Sequence, residues 1–276
     1  MMDLDIRIEN LHTVARRYCL EQHEYWVEKY SRINQLHKRT YTYSKKELNI
    51  FPRYNVLKAI LDGVEEFIPK DFDSLKEEKE ILAEMASTAN SIFTEPPNEQ
   101  ISDQAMLEER EKFIQFIENF PEDDLFRVKP LFYRRVLSQE ERTYHQQQLK
   151  NIWGVEKEYY YPLELVDIDK PLLVFQDEYF EAEFGFKSLQ KILNSHQVHK
   201  VWGLIELDPD YEIELGIFEP FYGRGGEGYW FSEGYEWLIY VSHENSLTLG
   251  GQWLINEIKT AWTNWKQRIW SSSYLF

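Results

Sequence analysis

The sequence predicts an α+β fold: an N-terminal helical bundle followed by an antiparallel sheet with a C-terminal helix packed on it. Three observations predict it. Apolar residues recur near helical spacing through the first third of the chain, runs of strand length replace them after Lys200, and one amphipathic stripe closes the chain. The stretch PEDDLFRVKP, Pro121 to Pro130, marks the change, because eight of the nine tryptophans lie beyond residue 150. It divides a helical bundle over 1–125 from an α+β domain over 126–276.

From about Leu4 to His37, Leu11, Val14, Tyr18, Tyr25, Trp26, Ile33 and Leu36 follow a helical period without glycine or proline. Ser44 and Glu47 have capping-box spacing, and Pro52 suits the first turn of a helix carrying Leu57, Ile60, Leu61, Val64 and Phe67. The boundary between these two starts is left open. A second capping box, Ser74 to Glu77, opens a helix to about Ile92, which EPPNEQ breaks; Met106, Phe113, Ile117 and Phe120 mark a fourth helix. Short connections favour antiparallel neighbours.

In the second half, Ser138 and Glu141 open a helix to about Trp153. Tyr159–Val166 and Leu172–Phe175 read as extended, and Phe186–Leu193 as a short helix. Val201–Leu207 leads through Asp208, Pro209 and Asp210 into Tyr211–Phe218, where Ile213, Leu215 and Ile217 alternate with Glu212, Glu214 and Gly216, one dry face and one wet. Gly223–Gly228 reads as a loop before a strand at Tyr229–Phe231. Trp237–Val241 is apolar at every position, so both faces need cover, as in a central strand. His243, Glu244, Asn245 and Ser246 turn the chain into a second strand to Leu249. Gly250 and Gly251 then precede a helix whose stripe is Leu254, Ile258, Trp262, Trp265 and Ile269.

The 276 residues, 43% hydrophobic and 16% aromatic, can bury a large core. No run of about 18 apolar residues is present, and MMDLDIRIEN lacks a basic-then-apolar leader, so a cytoplasmic protein that does not enter a membrane is expected. The single cysteine, Cys19, neither closes an intrachain disulfide nor builds a Cys-rich zinc site. Against 31 Lys and Arg stand 48 Asp and Glu, a net charge of −17 that repels phosphate backbones and argues against nucleic acid as a partner. Residues 51–125 alone carry 7 basic and 19 acidic side chains.

Ser242, His243 and Glu244 supply the residue types of a hydrolase triad. Neighbours on an extended chain point to opposite faces, however, so the three cannot relay a proton among themselves. Continuing the strand puts His243 with Trp237, Ile239 and Val241. His243 and Glu244 remain the catalytic candidates, beside a helix N-terminus able to hold an anion; the favoured reading is that they tie the hairpin together by hydrogen bonds. GRGGEG, Gly223 to Gly228, spells a dinucleotide loop, but Tyr229, Trp230 and Phe231 favour a strand after it and hence a hairpin loop. Arg224 and Glu227 at its tip are candidate partner contacts, as are Tyr222 and Trp230 nearby.

Cys19, His23 and His12 share a helix flank without a third and fourth ligand in view, so no metal site is predicted. His196 and His199 read as surface residues. Glu206, Asp208, Asp210, Glu212, Glu214 and Glu219 concentrate on one hairpin without the order of a calcium loop; they form either a solvated face or an acidic surface that steers a basic protein. Arg53, Arg134 and Arg135, with Lys38 and Arg39, are the strongest basic groups and can hold an anion or balance the acidic stretch. No cofactor is predicted.

Two blocks, YTYSKKELNIFPRYNVLKAIL at Tyr41–Leu61 and WLIYVSHENSLTLGGQWLI at Trp237–Ile255, resemble the paired signature of a family of uncharacterised bacterial proteins, and FYRRVLSQEE and YYYPL between them also fit. The resemblance implies a bacterial origin and assigns no activity. The expectation is therefore a non-enzymatic, acidic protein-binding factor of the bacterial cytoplasm, of the immunity, antitoxin or accessory type, that engages a basic protein. The alternative is an enzyme or small anionic-ligand binder whose site lies where the His243–Ser246 turn meets the start of the last helix, with Arg134 or Arg135 brought near.

Overall fold

Ser44 fixes the start of the second helix: its hydroxyl accepts the Glu47 N–H at 3.3 Å, and the Glu47 carboxylate returns to the Ser44 N–H at 2.7 Å. In the computed structural model, which describes residues 2–34, 43–156, 159–223 and 226–271, the chain divides into two units, Met1–Leu131 and Phe132–Phe276. The first unit holds α1 (Met2–Asn34), α2 (Lys45–Glu66), α3 (Leu75–Thr88) and α4 (Gln100–Asn119). Leu11, Val14 and Cys19 of α1, Val56, Ile60 and Val64 of α2, Leu82 of α3, and Phe113 and Ile117 of α4 make its core. Helix α2 runs through Pro52 instead of starting there. Proline has no N–H for the Leu48 carbonyl one turn back, and the Ser102 hydroxyl of α4 donates to that carbonyl at 3.1 Å in its place. Helix α3 stops at Thr88, short of the expected Ile92.

The second unit contains β1 (Arg134–Val136), α5 (Gln139–Trp153), β2 (Leu172–Gln176), the short α6 (Asp177–Tyr179) and α7 (Phe186–Ser195). Then follow β3 (Lys200–Ile205), β4 (Tyr211–Glu214), β5 (Gly228–Phe231), β6 (Leu238–Ser242), β7 (Ser246–Gly250) and α8 (Gln252–Ala261). Among the described residues the strands form one seven-stranded sheet in the order β1-β4-β3-β5-β6-β7-β2, and every neighbouring pair is antiparallel. β6 lies inside it, and helical structure covers both faces. Ile239, Val241, Leu247 and Leu249 pack with Leu189 and Leu193 of α7 and Leu254 and Ile258 of α8. Leu204, Phe231, Leu238 and Tyr240 point the other way, toward Leu149 and Trp153 of α5 and toward Tyr160. That two-sided burial is why β6 is apolar from Leu238 to Val241.

Two expectations need correction. The closing stripe is not one helix: α8 ends at Ala261, and Thr263 and Asn264, poor helix formers, precede a short 3-10 turn at Trp265–Arg268. Beyond it the chain is extended, with Ile269 bridged to Phe175 and the Trp270 N–H on the Val174 carbonyl. Tyr159–Val166 is turned, not extended, since the N–H groups of Leu163 and Glu164 both reach the Tyr160 carbonyl.

Gly250 shows how closely α5 meets the sheet. A Cβ there would lie 2.6 Å from Cζ3 of Trp153, whose ring is fully buried and whose Nε1–H donates to the Tyr235 carbonyl at 3.1 Å. Gly250→Ala is expected to destabilise the second unit by about 1–3 kcal/mol, because the ring has nowhere to retreat. Urea denaturation followed by tryptophan fluorescence checks this; an unchanged midpoint contradicts it.

Candidate functional site

A cavity of about 560 Å³ opens on the α5 face of the sheet. Helix α5 reaches it because Ser138 caps its start and Gly154, in the left-handed conformation, ends it. Arg142, Gln146 and Lys150 are spaced four apart and present one row to the cavity. The end of β3, Leu204 to Glu206, the start of β5 with Glu227 and Tyr229, and Tyr159 complete the wall, with Asp210 at its base.

Glycines shape the β5 side. The Gly226 N–H donates to the Gly223 carbonyl at 3.0 Å, and Gly226 has φ +78 with the Glu206 carboxylate packed against its Cα. A strand, not a helix, begins at Gly228, so the GRGGEG spelling belongs to a hairpin end. Glu227 is 5% exposed and receives three donors: the Tyr240 hydroxyl on Oε2, and the His243 Nδ1–H and backbone N–H on Oε1, the last at 3.3 Å. Burial, and then the Glu227 hydrogen bond, hold the Tyr240 phenol well above its usual titration range. The Glu227 N–H in turn donates to Oε2 of Glu206 at 3.1 Å.

His243 therefore sits with Tyr240, not with Val241. The strand ends at Ser242 and Asn245 takes φ +53, so the alternation cannot be continued past residue 242. The other ring nitrogen, Nε2, lies 3.3 Å from Glu244, and the Tyr159 ring is 5.5 Å from the imidazole. The hydrogen bond His243 donates to Glu227, opposed by burial and aided by the charges of Glu227, Glu244 and Glu206, raises the His243 pKa above the ordinary value. A raised histidine adds stability that is complete below about pH 6.5 and fades as pH rises through the folded-state value. Glu227→Gln is expected to lower the His243 titration midpoint toward about 6.5. The imidazole proton shifts in NMR report it, and an unmoved midpoint contradicts the pairing.

The rest of the turn serves the backbone. Ser242 and Ser246 share a hydroxyl contact at 2.6 Å, Ser242 Oγ accepts the Glu244 N–H at 3.2 Å, and Trp270 Nε1–H donates to the Glu244 carbonyl at 3.0 Å. The turn does not meet the start of α8. The five residues of β7 stand between them, which at about 3.3 Å per residue is roughly 13 Å.

Arg134 and Arg135 are on β1, at the far edge, four strand spacings from β6 or roughly 19 Å. Arg135 forks onto Glu141 at 2.7 and 2.8 Å and reaches Glu212 at 3.0 Å; Arg134 lies over the Tyr211 ring at 5.0 Å. The fork onto Arg135 lowers the Glu141 pKa to about 2. Glu212, only 6% exposed, also accepts from Lys200 and Tyr133, and Glu214 accepts the Tyr133 N–H at 3.1 Å. These two carboxylates are not a solvated face. They bind β4 to its neighbours. Trp230 is turned into the core, where its Nε1–H donates to the Tyr211 hydroxyl at 2.8 Å, whereas Tyr222 is exposed. Arg224, Lys38 and Arg39 lie outside the described residues.

In the first unit, Cys19 is fully buried, which pushes its thiol up, and the buried His12 donates Nε2–H to the Val64 carbonyl at 2.8 Å. His196 stacks on Trp253 with centroids 4.1 Å apart. Among the described residues no group of three or more His, Cys, Asp or Glu is placed to hold a metal ion, and no helix is long and apolar enough to cross a membrane.

Sequence reasoning did not single out Arg142, Gln146, Lys150 or Tyr159. The one local signal was the four-residue spacing on a helix with a capping box; the cavity itself is made by segments some sixty residues apart. In comparisons with known proteins, no family model, no curated protein and no solved structure matches the chain.

Proposed function

We propose that the protein is a non-enzymatic, acidic binding factor, of the immunity, antitoxin or accessory type in a bacterial cytoplasm, that engages a basic protein partner through the cavity of its second unit. The observation that carries this reading is the charge of the cavity wall: Glu156, Glu206, Asp210 and Glu227 against Arg142 and Lys150. Both of those cations already face carboxylates, Arg142 on Asp210 and Lys150 on Glu156 at 3.2 Å. A basic surface is thus attracted by the wall locally and by the net charge of −17 at longer range.

The alternative, an anionic-ligand site or enzyme at the His243 turn, has less support. An anion there would meet Glu227 and Glu244, which flank both ring nitrogens, and the α8 N-terminus lies at the other end of β7. Affinity capture from source-cell lysate with the full chain tests the proposal. A protein of positive net charge should be retained at about 50 mM salt and released at about 500 mM, where screening is several times shorter in range. Absence of any basic protein that behaves so overturns it.

A further inference from the structure

We infer that the cavity between α5 and the sheet takes an arginine-bearing segment of the partner, with Glu206 as the countercharge to the guanidinium and the rings of Tyr159 and Tyr229 as its walls. The inference rests on the binding-factor reading and names what that partner must present. Its starting point is a volume, about 560 Å³, which exceeds one side chain and suits a short stretch of peptide.

The lining then selects the chemistry. Asp210 is buried and occupied by the Ile205 N–H at 2.7 Å and by Arg142, and Glu227 by Tyr240 and His243. Glu206 differs. It is exposed, its Oε2 accepts the Glu227 N–H, and its charge acts on the His243 imidazole without an ion-pair contact among the described residues. A ligand entering the cavity therefore meets one negative charge already positioned by a backbone hydrogen bond. The same cavity is lined by Tyr159, 42% exposed, and the half-buried Tyr229. The Tyr229 phenol is held well above its usual range by burial and by the charge of Glu227, so its ring is a neutral face at physiological pH.

A carboxylate and aromatic rings lining one cavity suit a guanidinium better than an ammonium. The guanidinium is planar, stacks on rings, keeps its charge, and is less strongly hydrated when it leaves water. The amide of Gln146, on the α5 row, adds a carbonyl acceptor for a remaining N–H.

The test uses the full chain with tetra-arginine amide and its neutral isostere tetra-citrulline amide, by calorimetry and by backbone NMR. Tetra-arginine should bind and shift the amides of Gln146, Tyr159, Glu206 and Tyr229, and tetra-citrulline should bind at least about tenfold more weakly. Glu206→Gln, which can still accept the Glu227 N–H, should lose about tenfold in tetra-arginine affinity, whereas Glu84→Gln on α3 should lose nothing. Equal affinity for the two peptides, equal losses in the two variants, or shifts confined to other residues overturns the inference. If a salt-sensitive basic partner is captured equally by wild type and Glu206→Gln, the anchor is wrong while the binding-factor reading stands. If tetra-arginine binds as described but no basic partner is captured, the binding-factor reading fails instead.

Discussion

Arg53→Met should destabilise the first unit by about 3–5 kcal/mol, the cost of leaving a buried charge short of its partner. Arg53 is 5% exposed. Its Nη1 donates to Glu109 at 2.6 Å, Nη2 to Glu108 at 2.6 Å, and Nε to the Asn49 carbonyl at 2.8 Å, with the Trp26 ring 4.9 Å away. Glu109 is fully buried and, without Arg53, keeps Lys112 at 2.8 Å as its one cation among the described residues. Hydrogen exchange of α2 and α4 amides measures the loss. Arg53→Met combined with Glu109→Leu should recover part of it, because an apolar pair carries no desolvated charge. A single variant as stable as wild type would show that the pair contributes nothing.

The second large effect is a pH dependence. Glu78 is fully buried on α3, and neither carboxyl oxygen has a hydrogen-bond partner among the described residues. Burial raises its pKa to about 9, offset in small part by the His12 backbone. The folded state thus holds a proton that the unfolded chain releases near pH 4.5, so stability falls as pH rises, by about 1.4 kcal/mol per unit, until about pH 9. His12 acts in the opposite sense: burial lowers its pKa to about 4, and the stability it contributes is lost as pH falls below about 6.5. Between about pH 6.5 and 8.5 the carboxyl acts alone of the two, and wild type should lose roughly 3 kcal/mol relative to Glu78→Gln. Parallel stability curves for the two proteins over that range would contradict the buried, protonated state.

The same residues show what a sequence makes legible. Stripes of period 3.6 and the spacing of Ser44, Ser74 and Ser138 to a glutamate three residues on are local, and the structure has capped helices at all three. The apolar run at β6 announced an interior strand for the same reason. Pro52 left the start of α2 open because its missing donor is answered by Ser102, fifty residues away. The carboxylates of β4 read as solvated because nothing local shows that β1 will bring Arg135 and Tyr133 beside them. Extrapolating β6 past Ser242 put His243 on the wrong face, since one left-handed residue, Asn245, redirects the turn. The cavity wall was the least legible of all, being assembled from α5, β3 and β5.

Footprinting by hydrogen exchange of the complex with the proposed basic partner tests the central claim most directly. Protection should appear along Arg142–Lys150 and around Glu206 and Tyr229, with the Arg134–Val136 edge and the first unit unchanged. Protection confined to that edge or to α1–α4, with the cavity wall still exchanging freely, would contradict it.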